Sequence, residues 1–174
     1  MSAPRRVSQS GVNLASVLGG VLVEGVVSSA NGADGIAVAI GATLSRCVVR
    51  GNAGDGLQIG SGVTVTDCTS VGNSGAGLLG LGTGATISGC TFRANVGDGV
   101  TGGTATAVLD CMSRENGGAG FNIGGLSNIA RCSALTNTGD GIRVTTACVI
   151  RDNSCSSNGN AAGDGAGIHA TQAD

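Results

Sequence analysis

The sequence predicts an all-β fold, a parallel β-helix of about seven coils with ~21 residues in each, and three observations carry that prediction. Asparagine recurs every 21 or 22 residues, at Asn31, Asn52, Asn73, Asn95, Asn116, Asn137 and Asn158. Cysteine recurs in phase with it, at Cys47, Cys68, Cys90, Cys111 and Cys132, each five residues before an asparagine of the column. Between these marks the apolar residues alternate with the period of two that belongs to strands. One apolar column follows a turn glycine (Ile36, Leu57, Leu78, Val100, Phe121, Ile142), and another lies three residues before the cysteine position (Leu44, Val65, Ile87, Val108, Ile129, Ile150). Helical repeats are too long for this unit, and a leucine-rich repeat needs several leucines that these units lack.

Each element follows from the repeat. Residues 1–10 are polar and are expected to form a flexible tail. Arg5-Arg6 ahead of an apolar stretch has the look of an export signal. Asn13, Gly19, Gly20 and Glu24 interrupt that stretch, however, and it phases with the repeat, so 11–30 reads as an irregular first, capping coil. Residues 31–158 form the regular coils, and 159–170 an incomplete last coil. Nothing after Asn158 resembles a polar cap, so a truncated domain, or a homo-oligomer joined through its coil ends, is expected. Stacked coils repeat every ~4.8 Å, so the asparagines should form a ladder at one corner. The pairs Asp34-Gly35, Asp55-Gly56, Asp98-Gly99 and Asp140-Gly141 read as turns, with the aspartate bonding its own backbone and the glycine left-handed.

Composition narrows the function classes. Glycine supplies 34 of 174 residues but proline only one, which excludes collagen. With 41% hydrophobic and 11% charged residues, the chain can build a core and is not disordered by charge. No apolar run reaches the ~18 residues of a membrane span. A net charge of −2, no Trp or Tyr and two Phe provide neither the basic footprint nor the stacking platforms of a nucleic-acid binder. All nine basic residues are arginine.

The five in-phase cysteines point inward, their Cα atoms ~4.8 Å apart. Parallel Cβ vectors suit a disulfide poorly, and an odd column cannot pair fully. They read as a ladder of buried thiols packing the core; a disulfide or a soft-metal site along the column stays open. Asn153 takes the cysteine position in the last full coil, where the ladder is expected to stop. Cys148 and Cys155 fall in other columns. Free thiols favour a reducing, cytoplasmic compartment.

The units GVTVTDCTSVGNSGAG and ATISGCTFRANVGDGV resemble the right-handed parallel β-helix repeat proteins of the pectate-lyase-like superfamily, over roughly residues 31–170. The resemblance implies a right-handed solenoid and has extracellular precedent. That superfold hosts lyases, hydrolases, epimerases, phage spikes and plain scaffolds, so it does not by itself assign an activity. Polysaccharide lyases of this kind use Ca²⁺ on aspartates beside a basic residue. The matching candidates here are Arg46, Asp67, Asp110 and Arg131, in the outward column just before the cysteines; the alternative is ion pairs between coils. Asp34 and Asp55 are candidate Ca²⁺ ligands, although Ca²⁺ wants six to eight oxygens. Arg50, Arg93 and Arg114 form a partial stripe suited to an anionic polysaccharide. His169, the only histidine, reads as a surface or edge residue. A hydroxyl row (Thr43, Ser45, Thr64, Thr66, Thr86, Ser88) makes ice binding a minor alternative.

The leading expectation is a non-catalytic structural or interaction module, because coil length varies by one residue with no insertion to wall a pocket. A carbohydrate-active enzyme, or its degenerate remnant, is the alternative.

Overall fold

The computed structural model describes residues 10–16, 20–159 and 165–171. The sequence-based expectation for the 1–10 tail therefore falls almost wholly outside the described residues. The chain winds as a right-handed parallel β-solenoid in which every coil contributes a three-residue strand to each of three sheets. The first sheet stacks Val12–Leu14, Ile36–Val38, Leu57–Ile59, Leu78–Gly80, Val100–Gly102, Phe121–Ile123, Ile142–Val144 and Ile168–Ala170. The second runs from Leu22–Glu24 through Thr43–Ser45, Thr64–Thr66, Thr86–Ser88, Ala107–Leu109 and Asn128–Ala130 to Val149–Arg151. The third runs from Val27–Ser29 through Val48–Arg50, Thr69–Val71, Thr91–Arg93, Met112–Arg114 and Ser133–Leu135 to Ser154–Ser156. Among the described residues no helix is long and apolar enough to cross a membrane.

Pairing is in register, so the columns of the sequence become columns of the core. Ile87 stacks between Val65 and Val108, and Phe121 between Val100 and Ile142. Leu44, Val65, Ile87, Val108 and Ile129 are fully buried. Up the third sheet's inner face the order is Val49, Ser70, Phe92, Ser113, Ala134, with the one large ring flanked by small residues. Phe92 takes the room that the serines leave. Those serines remain satisfied, donating to Gly77 O and Gly120 O at 2.8 Å. The one 22-residue coil carries its extra residue in the bend between Leu78–Gly80 and Thr86–Ser88, where Leu81 is exposed.

The structure corrects the reading of the corners. The left-handed residues are not the glycines of the Asp-Gly pairs. They come one residue before each inward corner residue: Arg46 (φ 54°) before Cys47, Glu115 (φ 58°) before Asn116, Leu126 (φ 59°) before Ser127. The aspartates bond the next coil rather than their own backbone. Asp34 Oδ1 accepts from Asp55 N at 2.8 Å, Asp55 Oδ1 from Ala76 N at 2.7 Å, and Asp98 Oδ1 from Ala119 N at 2.7 Å. The following glycine is needed for space. A Cβ on Gly99 would sit 2.5 Å from Gly120 O, and closer still to Ser113 Oγ.

Two stability predictions follow from this packing. Ile87→Ala should cost about 2 to 5 kcal/mol in denaturant unfolding, and a loss under about 1 kcal/mol would mean that its column is not close-packed. Gly99→Val should prevent a native fold by collision with the next coil, read as loss of the β-sheet circular dichroism signal.

Candidate functional site

The outward candidates sit on left-handed corner residues, where the chain passes from the second sheet to the third. Arg46, Asp67, Asp110 and Arg131 all have φ between 53° and 55°. That geometry turns the next residue, a cysteine, into the core and leaves the charged side chain outside. Arg131 forks onto Asp110, with Nε to Oδ1 at 2.7 Å and Nη2 to Oδ2 at 2.8 Å. Hydrogen bonding from Arg131 holds the Asp110 carboxyl below the usual range, and the same bonds raise the arginine. Arg46 reaches back to Glu24 and makes no ion pair with Asp67. The four candidates are therefore not brought together: two pair with each other, one pairs elsewhere, and Asp67 lies two coils, roughly 10 Å, from Asp110.

Sequence reasoning missed a second charged group. On the third sheet Arg93 Nε donates to Glu115 Oε2 at 2.8 Å, and Arg114 approaches the same carboxylate at 3.8 Å. Hydrogen bonding from Arg93 lowers the Glu115 pKa. Arg93 and Arg114 are cross-strand partners, as the stripe requires, but one glutamate answers both. The signal was present: Glu115 lies one residue before Asn116, at an outward corner.

Asp34 and Asp55 stack on adjacent coils. Burial, opposed by the Ala76 amide and reinforced by the Asp34 charge, raises the Asp55 pKa. One oxygen of each is taken by a backbone amide of the next coil, which leaves two oxygens for a cation that wants six to eight. The pair does not fit Ca²⁺, and no cluster of three or more His, Cys, Asp or Glu forms among the described residues. In the same column Asp98 Oδ2 accepts from Thr101 Oγ1 at 2.9 Å and from Asn122 Nδ2 at 3.0 Å. Asp140, 7% exposed, meets Ala166 N at 2.8 Å and His169 Nδ1 at 3.0 Å. His169 thus lies on the last strand of the first sheet, tied to the turn beneath it.

The inward columns form continuous hydrogen-bond chains. Asn52 Nδ2 donates to Asn73 Oδ1 at 2.9 Å, Asn73 Nδ2 to Asn95 Oδ1 at 3.0 Å, and the pattern runs from Asn31 to Asn158. Each rung's backbone N–H also donates to the next rung's Oδ1. All seven cysteines are free thiols, and the five of the column are buried. Each of those five thiols bonds a carbonyl two residues earlier, as Cys111 Sγ does with Leu109 O at 3.1 Å. Hydrogen bonding with neighbouring cysteines, then burial, holds Cys68 and Cys111 protonated. The thiols of the column end at Cys132, and Asn153 takes the next position. Asn153 Oδ1 accepts from Cys132 N at 2.8 Å and its Nδ2 donates to Ile129 O at 2.9 Å, so asparagine continues the thiol's bonding.

The hydroxyl row is in register over three coils, with Thr64 between Thr43 and Thr86, and gives way to Ala107 and Leu109.

A family model described as "Right handed beta helix region" matches residues 41–174. Among solved structures, pectate lyase Pel9A is similar over 77% of this chain and 47% of its own, with a TM-score of 0.62 and 19% identity. The A-module of the Azotobacter vinelandii mannuronan C-5 epimerase AlgE4 is similar over 90% of this chain and 56% of its own, with a TM-score of 0.59 and 12% identity. The chain thus spans about half the length of these structures, and at such identities the likeness is one of fold. No curated protein matches it in sequence.

Asp55 offers a test of the turn column. Its folded pKa lies above the unfolded value, so its contribution to stability is present below the unfolded pKa and is lost as pH rises through the folded one. Asp55→Asn keeps an oxygen for Ala76 N and removes the charge. At neutral pH it should unfold at the same denaturant concentration as the parent or a higher one, whereas Asp55→Ala should unfold earlier. Equal losses in both variants would mean that the charge itself is needed.

Proposed function

The chain belongs to the right-handed beta helix family, and from that premise we propose that it works as a non-catalytic structural or interaction module. One observation carries the reading. From Asn31 to Asn158 every coil has 21 or 22 residues, and every strand has three, so no loop rises to wall a cleft over any of the sheets. Catalysis needs groups converging on one reacting atom in a place that sheds water. The candidate side chains instead lie along an open corner, and Arg131 and Arg46 are engaged by Asp110 and Glu24. Such pairs between exposed partners help hold coils in register and keep the surface soluble, with little net stabilisation.

A second reading is supported by the names of the solved neighbours, a lyase for pectate and an epimerase for mannuronan. In that reading the chain acts on, or binds, an acidic polysaccharide, with the Arg50, Arg93 and Arg114 face as its surface.

The expected outcome with polygalacturonate and with mannuronan is no turnover above buffer, read as unsaturated product and as changed uronate composition. Turnover that Asp67→Ala or Arg131→Ala abolishes would overturn the scaffold reading. Retarded migration of the protein in gels containing polyuronate, lost in an Arg50→Ala, Arg93→Ala, Arg114→Ala variant, would favour the second.

A further inference from the structure

The cysteine column places reactive side chains where packing alone does not ask for them. The same corner is filled by Val26 one coil before Cys47 and by Asn153 one coil after Cys132. All five thiols between are free, and Cys68 and Cys90 are each 1% exposed. The strands on both sides of this pair are in register, Thr66 against Ser88 and Thr69 against Thr91. The two side chains therefore enter the core side by side, and their sulfurs stack along the axis at the ~4.8 Å spacing of the coils.

Parallel side chains at that spacing strain a disulfide, but they suit a different bond pattern. A zinc–thiolate bond is about 2.3 Å long, and thiolate bonds to soft closed-shell ions are of similar length, so an ion midway between two sulfurs ~4.8 Å apart reaches both in a straight line. Side chains that point into the rod stand across its axis, so the ion meets each sulfur near the right angle that divalent sulfur favours. Zn²⁺ wants four ligands in a tetrahedron, and no cluster of three or more His, Cys, Asp or Glu forms among the described residues. Thiolate is soft and selects Cu(I), which two sulfurs satisfy.

The pair also has what a buried charge needs. Cys47 N donates to Cys68 Sγ and Cys68 N to Cys90 Sγ, both at 3.4 Å. Such bonds strengthen when the acceptor is ionised. The thiol protons are held by Thr66 O and Ser88 O, each at 3.2 Å from its sulfur. Binding exchanges them: two S–H bonds break, two sulfur–metal bonds form, two protons leave, and no electron moves. With a monovalent ion the neutral pair becomes a group of one negative charge, spread over both sulfurs.

We propose that Cys68 and Cys90 form a two-coordinate site for a soft monovalent metal ion of the Cu(I) class, held inside the rod between successive coils. The site is closed to solvent, so the ion enters through local opening of the coils. Once bound it links two coils and stabilises the folded rod.

The experiment uses the full chain, reduced, in chloride-free buffer, with Cys148→Ser and Cys155→Ser to remove the half-buried thiols and Ag(I) as a probe that does not change oxidation state. One equivalent of Ag(I) should release two protons and raise the thermal unfolding midpoint by more than about 2 °C. Its X-ray absorption spectrum should show two sulfur neighbours. Adding Cys68→Ala or Cys90→Ala should remove the rise, each variant being compared with itself without Ag(I), whereas Cys132→Ala should keep it. An unchanged or lower midpoint in the parent would overturn the proposal, because the thiols would then bind the ion no better in the folded chain than in the unfolded one. So would a rise that survives Cys68→Ala together with Cys90→Ala.

Discussion

Each residue of a coil must find its hydrogen-bond partners in the copy of itself about 4.8 Å along the axis. In-register stacking is the constraint on which the rest of this molecule depends. It explains why polar side chains can occupy the interior: asparagine both donates and accepts, so a column of asparagines satisfies itself. An unpaired buried amide would cost about 1 to 3 kcal/mol, so such a column is stable only when it is continuous. Cysteine at the neighbouring corner follows the same logic with a weaker donor and acceptor, and Asn153 can replace it because its side chain makes the equivalent bonds.

The constraint also explains where charge resides. A coil of 21 residues turns three times, and each turn uses a left-handed residue to swing the next side chain inward. Thirteen of the described left-handed residues are not glycine, including Glu115, Leu126 and Thr136. Each carries strain of order 1 kcal/mol, tolerated because the stacked ladders on either side over-determine the backbone. The outward side chains at these corners form their own columns. Arg46, Asp67, Asp110 and Arg131 read as a catalytic constellation in sequence for that reason alone, being equivalent positions of neighbouring coils with Gly89 between Asp67 and Asp110. Their ion pairs are between coils, as stacking requires.

Much of the architecture was legible because a repeat prints its tertiary contacts in the primary structure: residues 21 apart are neighbours, so the asparagine and cysteine columns, the buried Leu44-to-Ile129 column and the register could be read directly. The turn chemistry was not. An Asp-Gly pair in an ordinary loop bonds locally, whereas Asp34, Asp55 and Asp98 bond the next coil, and a stretch of sequence read alone does not show that another strand lies within reach. The choice of Glu24 by Arg46, and the sharing of Glu115 by Arg93 and Arg114, were equally hidden. Arg46 has Asp67 one coil further on as well as Glu24 within one coil, and only the packed side chains decide between them.

By itself the sequence determined the coil, its period, its inward columns and the identity of each ladder, because periodicity converts one-dimensional spacing into three-dimensional adjacency. Only the tertiary structure decided which residues turn left-handed, why glycine is indispensable after the aspartates, and which charges pair. Those outcomes depend on the space left by a neighbouring coil. Gly99 illustrates the division: its recurrence was visible in the sequence, but its reason, the carbonyl of Gly120 at 2.5 Å from any Cβ, exists only once the coils are stacked.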